Sequence, residues 1–448
     1  MILKKYIKEK TFVVLYWVAY VFLCLHFYLE RSTYGDNSYY LFQIIQQNDF
    51  CIQYARYAAV FNQWLPLLAV KLQMSLKTIL FFYTISPVFL YFIIFLVIRY
   101  LVKEKWLSYL FMISLVVTVR DSFFYVNDEL NLMGSLLILM VAVLRSDRLN
   151  TISRIIALFI VITIMQFAHL FLLLAAGVFL AIYFIEKRQK EALVGMVIVV
   201  VIVVLRATLL KGGRDGSSID ALSIKVITLK NLYASPFAIF FRKSVFYYYL
   251  PAITVMMVLF ILNKSSFYTK IASVFGFLCL YLLLVVFLIN GASDMYNDKY
   301  LAIVFLIYWS ILASIIETDK TDKFSIKAIV FFAVLLSFFQ LFKIEKYTDR
   351  VNFLTELMQE KPVKQIYLFE KMPDNLKTMS WSVPYETLFI SSLKGNTQTI
   401  LIKESFYQID DFLSDSSKFL GAEWTFPADI KLNERYFPLK SGIYEMNR

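Results

Sequence analysis

The chain has 448 residues, 60% of them hydrophobic and only 17% charged, with a formal net charge of +12. A mean hydropathy of +0.66 is more than the surface of a globule this size could cover. On this reading the figures predict a polytopic membrane protein. They exclude a soluble enzyme, a nucleic-acid-binding domain and a secreted disulfide scaffold, and the basic surplus is read as flanks of the spans rather than as a nucleic-acid footprint.

Apolar runs with charged flanks predict about eleven spans. They lie near 11–29, 75–101, 106–119, 129–144, 152–166, 168–185, 192–209, 245–263, 270–289, 300–316 and 325–342. The first run has no small-residue cleavage site, since Glu30-Arg31-Ser32-Thr33-Tyr34 follows Leu29, so it is expected to stay as an anchor. Lys4, Lys5, Lys8 and Lys10 set the N-terminus inside by the positive-inside bias, and an odd number of spans then carries the C-terminal tail outside. The localisation that follows is a bacterial cytoplasmic (inner) membrane, crossed many times. Cys24, Cys51 and Cys279 form no CxxC pair and suggest neither metal nor redox chemistry.

Residues 30–74 read as two amphipathic helices on the outer surface, with Trp64-Leu65-Pro66-Leu67 predicting a break in the second. The transmembrane region is taken as 1–343, with a further outer loop at 210–244. Charge rises over 344–448. A helix is expected at 348–360, another opening at Pro384, and strands at Gln365–Phe369, Thr397–Lys403 and Arg435–Leu439. This describes a small extramembrane α/β domain.

Ionisable residues at span ends are the candidates for chemistry. Asp36, in Tyr34-Gly35-Asp36-Asn37, either caps the following helix or serves as a general base at the mouth of a cleft. Asp128 and Glu129 open a span, where the macrodipole alone favours acids; alternatively they hold sugar hydroxyls or a divalent cation. His169 is either a packing residue near a helix end or a substrate contact. Lys211, Arg214, Arg242 and Lys243 in the 210–244 loop, with Lys299 and Arg120 at span ends, are either solvated cations or binders of a phosphate.

This layout resembles the GT-C-fold integral-membrane glycosyltransferases. The similarity rests on one span followed by a large first outer loop carrying an acidic residue, on Trp64-Leu65-Pro66-Leu67 ahead of the second span, and on Asp298-Lys299-Tyr300-Leu301, which is similar to the Arg-Tyr-Leu that often opens a late span in that family. The resemblance implies an all-α membrane fold of about eleven helices and transfer of a sugar from a polyprenyl-phosphate donor to a hydroxyl on a glycan, lipid or protein. It implies Asp36 as catalytic base and Arg120, Lys211, Arg214, Arg242, Lys243 and Lys299 as candidates for the lipid phosphate, with membrane lipids as surroundings. The loop reads Gly-Asp-Asn without a second acid beside Asp36, which leaves the use of a divalent cation open. A polymerase or ligase acting on lipid-diphosphate-linked glycans is the alternative. A transporter is less favoured, since charges near mid-span are nearly absent.

Overall fold

The structure is a computed structural model. It describes residues 2–446 other than 54, 127–128, 188, 210–232, 263–277, 279–280, 283–293, 316–323, 360–362, 404–418 and 420–429. Helices dominate. In chain order they are α1 (Ile2–His26), α2 (Tyr28–Thr33), α3 (Asp36–Gln47), α4 (Val60–Lys71), α5 (Leu76–Leu96), α6 (Lys105–Val117), α7 (Glu129–Gly134), α8 (Leu136–Arg145) and α9 (Thr151–Gln166). There follow α10 (Leu170–Lys187), α11 (Lys190–Leu209), α12 (Pro236–Tyr248), α13 (Leu250–Leu262), α14 (Asp294–Ile315), α15 (Phe324–Phe342), α16 (Lys346–Gln359) and α17 (Val383–Leu393). Strands β1 (Lys364–Leu368), β2 (Thr399–Lys403) and β3 (Glu445–Met446) form a parallel sheet in the order β2-β1-β3.

Several helix starts have their caps in the sequence. Ser75 before α5, Asn150 before α9 and Ser235 before α12 each accept a hydrogen bond from the N–H three residues on, satisfying a donor that the first turn leaves open. α14 runs through the middle of the bundle, and every residue from Tyr300 to Ala313 is buried. A helix apolar on all sides is a core element when other helices surround it. Gly134 lets α7 lie close against it, because a Cβ there would meet Ile303 Cδ1 at 2.2 Å.

This architecture overturns the expected all-α, GT-C-like membrane fold of about eleven spans. Among the described residues one helix, Leu76–Leu101, is long and apolar enough to cross a membrane, and 44% of its most apolar stretch is buried. A second candidate, Pro236–Val245 with Leu250–Ile261, is bent by 79° at its join. The backbone shows why other runs fall short. Those at 106–119 and 152–166 make helices of 13 and 16 residues, about 20–24 Å long at the α-helical rise, against about 30 Å of hydrocarbon. The run at 129–144 is divided at Ser135 between α7 and α8, and most of 270–289 lies outside the described residues. Hydropathy counts apolar side chains without knowing which of them other helices cover. The localisation falls with the spans: one helix among the described residues meets the length and hydropathy of a span, which does not support a multi-pass placement in a bacterial inner membrane with the N-terminus inside and the C-terminal segment outside.

Residues 30–74 also differ from expectation. They are helical, but Asn37–Ile45 is buried throughout rather than laid on a surface, and α4 continues unbroken through Pro66. The C-terminal segment packs directly on them. Phe42 of α3 meets the rings of Tyr385 and Phe437 at 5.1 and 5.6 Å. β1 and β2 lie where short β-like runs predict strands, and α16 and α17 where helices are predicted. Arg435–Leu439 is not a strand, and Glu445–Met446 supplies the third. β1 and β2 pair in parallel from Lys364↔Thr399 to Leu368↔Lys403, so the chain crosses over between them, and α17 is that crossover.

Candidate functional site

Asp36 sits at a turn that only glycine can make. Gly35 has a φ of +57°, a conformation that costs an L side chain strain, and a Cβ there would come within 2.3 Å of Met379 Sδ. Its N–H donates to Glu386 Oε1 at 3.2 Å, so the C-terminal segment helps to shape this turn. Gly35 takes the N-cap position and Asp36 is the first residue of α3, where the helix dipole favours its charge. Asp36 is half-buried, not enclosed. Beside it, burial pushes the Tyr34 phenol well up; Glu386, Asp121 and Asp36 push it further, against the opposing effect of Arg350.

Tyr34 leads to a second pair of carboxylates. Asp121, fully buried, accepts from Lys346 Nζ at 2.7 Å and from the Tyr347 hydroxyl at 3.2 Å, both through Oδ1. The Arg120 guanidinium stands 3.5 Å from its Oδ2 and lies over the Tyr248 ring. Asp298, at the head of α14, holds the turn at Arg120–Ser122 that follows α6. Its Oδ2 accepts from the backbone N–H of Arg120 at 3.1 Å and of Ser122 at 2.7 Å, and the Tyr249 hydroxyl donates to Oδ1. Burial raises the Asp298 carboxyl above the usual range, and the nearby Asp121 raises it further, against hydrogen bonds from Ser122 and Tyr249.

The next residue, Lys299, belongs to a cluster of cations around His169. Burial lowers the His169 pKa well below the ordinary value, and Arg56, Lys299 and Arg206 lower it further. The imidazole Nδ1 accepts from the Phe171 N–H at 3.1 Å, a capping contact at the start of α10 that assigns the proton of the neutral ring to Nε2. The backbone explains the convergence. Ala58 N–H donates to the Phe167 carbonyl at 3.0 Å, bringing the 55–59 segment to the end of α9, while Arg206 donates to the Gln166 carbonyl. Tyr300 brings its ring to within 6.2 Å of His169. Lys299 is buried, with its Nζ 5.5 Å from the Tyr300 ring and 5.9 Å from that of Tyr125.

The head of α14 thus joins carboxylates and cations. Of the residues singled out from sequence, Arg120 and Lys299 meet at Asp298 and Tyr300 approaches His169, while Asp36 lies at the Gly35 turn. Arg242 and Lys243 are exposed on α12, where Arg242 folds over the Tyr233 ring at 3.7 Å. Asp128, Lys211 and Arg214 lie outside the described residues; Glu129 is the first residue of α7. Sequence reasoning did not single out Asp121, Arg56 or Arg206. An Arg-Asp pair closing an apolar run was the available signal for Asp121. Arg56 and Arg206 had none, being 150 positions apart in the chain. Among the described residues no group of three His, Cys, Asp or Glu side chains converges as metal ligands would. Comparison of the chain with family models, with curated proteins and with solved structures finds no match.

Proposed function

We propose that the protein is a glycosyltransferase that moves a sugar from a polyprenyl-phosphate donor to a hydroxyl on a glycan, lipid or protein acceptor, with Asp36 as general base. The observation that carries this reading is the junction at Asp298-Lys299, where Asp298 holds the Arg120–Ser122 turn beside Asp121 and the next residues, Lys299 and Tyr300, reach toward His169. In a displacement at the anomeric carbon, Asp36 takes the proton of the acceptor hydroxyl as its oxygen bonds to that carbon. The bond from the anomeric carbon to phosphate oxygen breaks, and the lipid phosphate leaves as an anion. Lys299, Arg56 and Arg206 are the fixed charges that stabilise it; such preorganised electrostatics supply a large share of the rate in sites of this type. Phe89, Phe92 and Ile93 are exposed on α5 and offer apolar surface to an isoprenoid tail.

The test is transfer by purified protein from polyprenyl-phosphate sugars to a panel of acceptors. Asp36→Asn is expected to lower the rate about a hundredfold or more, the usual contribution of a general base, while the fold stays intact. An unchanged rate removes Asp36 from the chemistry, and failure of every donor overturns the glycosyl-transfer reading.

A further inference from the structure

The Tyr34-Gly35-Asp36 turn is pressed from the C-terminal segment by Glu386 and Met379, and one side chain holds both. Glu386 Oε1 accepts from the Gly35 N–H, and Met379 packs so closely that its Sδ would stand 2.3 Å from a Cβ on Gly35. Arg350, buried in α16, grips Glu386 through two nitrogens. The same guanidinium donates to the carbonyls of Thr378 and Met379 and lies over the Tyr34 ring at 5.3 Å. Met379 has a φ of +56°, a conformation that a residue with a Cβ keeps only where its surroundings impose it. Here the Ser382 N–H and hydroxyl also hold its carbonyl, at 3.1 and 2.7 Å.

On the far side of Asp36 the backbone is fixed as well. The N–H groups of Asn37 and Ser38 donate to the carbonyls of Tyr34 and Gly35, each at 3.1 Å. The Asn37 side-chain amide donates to the carbonyls of Arg31 and Phe124 at 2.8 and 2.7 Å. Asp36 thus has a clamped neighbour on each side, and the direction in which its carboxylate leaves α3 follows from theirs. A general base works within about 2.6–3.2 Å of the proton it takes, and a displacement of about 1 Å at a reacting group can cost about a hundredfold in rate.

We propose that Glu386, Met379 and Arg350 are positioning residues for Asp36, an inference that rests on Asp36 as the general base. Glu386 acts through the Gly35 N–H, and Met379 through its packing on the Gly35 backbone. Arg350 acts by holding the two of them. Glu386 and Arg350 are buried, so neither meets substrate. The C-terminal segment therefore sets the aim of the base from outside the chemistry.

Two double variants of the full chain isolate the contact. Arg350→Met with Glu386→Leu, and Arg350→Met with Glu386→Gln, both remove the ion pair, but only glutamine keeps an oxygen for the Gly35 N–H. With a polyprenyl-phosphate sugar as donor, the leucine double is expected to lose about tenfold in kcat at unchanged KM, the scale of a displacement below 1 Å. The glutamine double is expected to recover most of that loss, which a purely structural role would not produce. Equal kcat in the two doubles overturns the inference. A second readout needs no turnover: the carboxyl carbon-13 resonance of Asp36, assigned by its loss in Asp36→Asn. It is expected to differ between the two doubles, and coincident resonances overturn the inference. If the parent transfers no sugar while these resonances differ, glycosyl transfer falls and the positioning of Asp36 stands. Met379→Ala leaves the ion pair whole and decides the matter if the doubles do not fold. An Asp36 resonance unmoved from the parent's then overturns the inference.

Discussion

Arg350 and Glu386 form a buried pair in which each charged atom is answered. Arg350 Nε and one terminal nitrogen reach Glu386 at 2.7 and 2.9 Å, and its remaining donors go to the carbonyls of Leu376, Thr378 and Met379. Glu386 also accepts from Ser382 and from Gly35 N–H. Asp121 and Asp298, reached across Tyr34 and Tyr347, are arranged otherwise. Burial raises the Asp298 carboxyl and the Asp121 charge raises it further, and the neighbouring Arg120 Nε is buried without a hydrogen-bond partner. A saturated pair fixes a shape. Unsaturated polar groups in a closed site keep bonding capacity for something else, and this contrast separates the clasp under the Asp36 turn from the region proposed for chemistry.

The largest expected effect breaks the saturated pair. Arg350→Met leaves Glu386 buried with its main partner gone, which should cost about 3–5 kcal/mol of stability in urea unfolding monitored by circular dichroism. Adding Glu386→Leu removes the stranded charge and should recover much of the loss, since apolar replacement of a buried pair is often near neutral. A single variant as stable as the parent would show that the clasp carries no stability and that the contrast above is false.

Next in size is the turn resting on that clasp. Gly35→Ala places a methyl against Met379 Sδ and forces a positive φ on an L residue, together about 1–3 kcal/mol. Combining it with Met379→Ala relieves the contact but not the backbone strain, so thermal unfolding should show partial recovery. Full recovery would mean that the backbone is unstrained, and none that the Met379 contact is irrelevant.

What the sequence discloses about this molecule is local. Capping residues mark the starts of α5, α9 and α12, and short β-like runs mark β1 and β2, because these signals operate over three to five residues. Asp36, Arg120, His169 and Lys299 stood out as ionisable groups beside apolar runs; the structure sets Arg120 and Lys299 at Asp298 and Tyr300 near His169, and Asp36 at the turn before α3. The spans failed because burial inside a bundle and burial in hydrocarbon select the same side chains. From Tyr300 to Ala313 α14 is apolar almost all round, yet those residues are covered by protein. Arg31 escaped notice for a related reason: a cation at the end of an apolar run reads as a flank, and only the fold shows that it is buried.

A smaller effect sharpens the acidic side of the contrast. The folded carboxyl of Asp298 titrates above its unfolded value, mainly from burial and then from Asp121. The native state therefore holds a proton that the unfolded chain has released, and this contribution to stability is present at acid pH and lost as pH rises from about 3.9 through the raised folded value. Asp298→Asn cannot titrate. Its stability should decline less than the parent's over that window, as read from denaturant midpoints at a series of pH values. Parallel profiles would show that Asp298 is not the group whose proton the fold retains.

The smallest effect reads the cationic side directly. His169 is held neutral by burial and by Arg56, Lys299 and Arg206. Its folded pKa lies below the unfolded value near 6.5, so stability falls as pH drops through that value, where the unfolded chain takes up a proton that the native ring refuses. Lys299→Met removes one of the three repelling charges, so the His169 pKa should rise and the acid loss of stability should become shallower. The chain has two histidines, and proton NMR follows their imidazole resonances as pH is varied. Movement of the His169 titration alone would support Lys299 as part of the cluster to which a leaving phosphate is assigned. If neither resonance moves, Lys299 does not act on that cluster, and the junction at the head of α14 loses the charge that ties its two halves together.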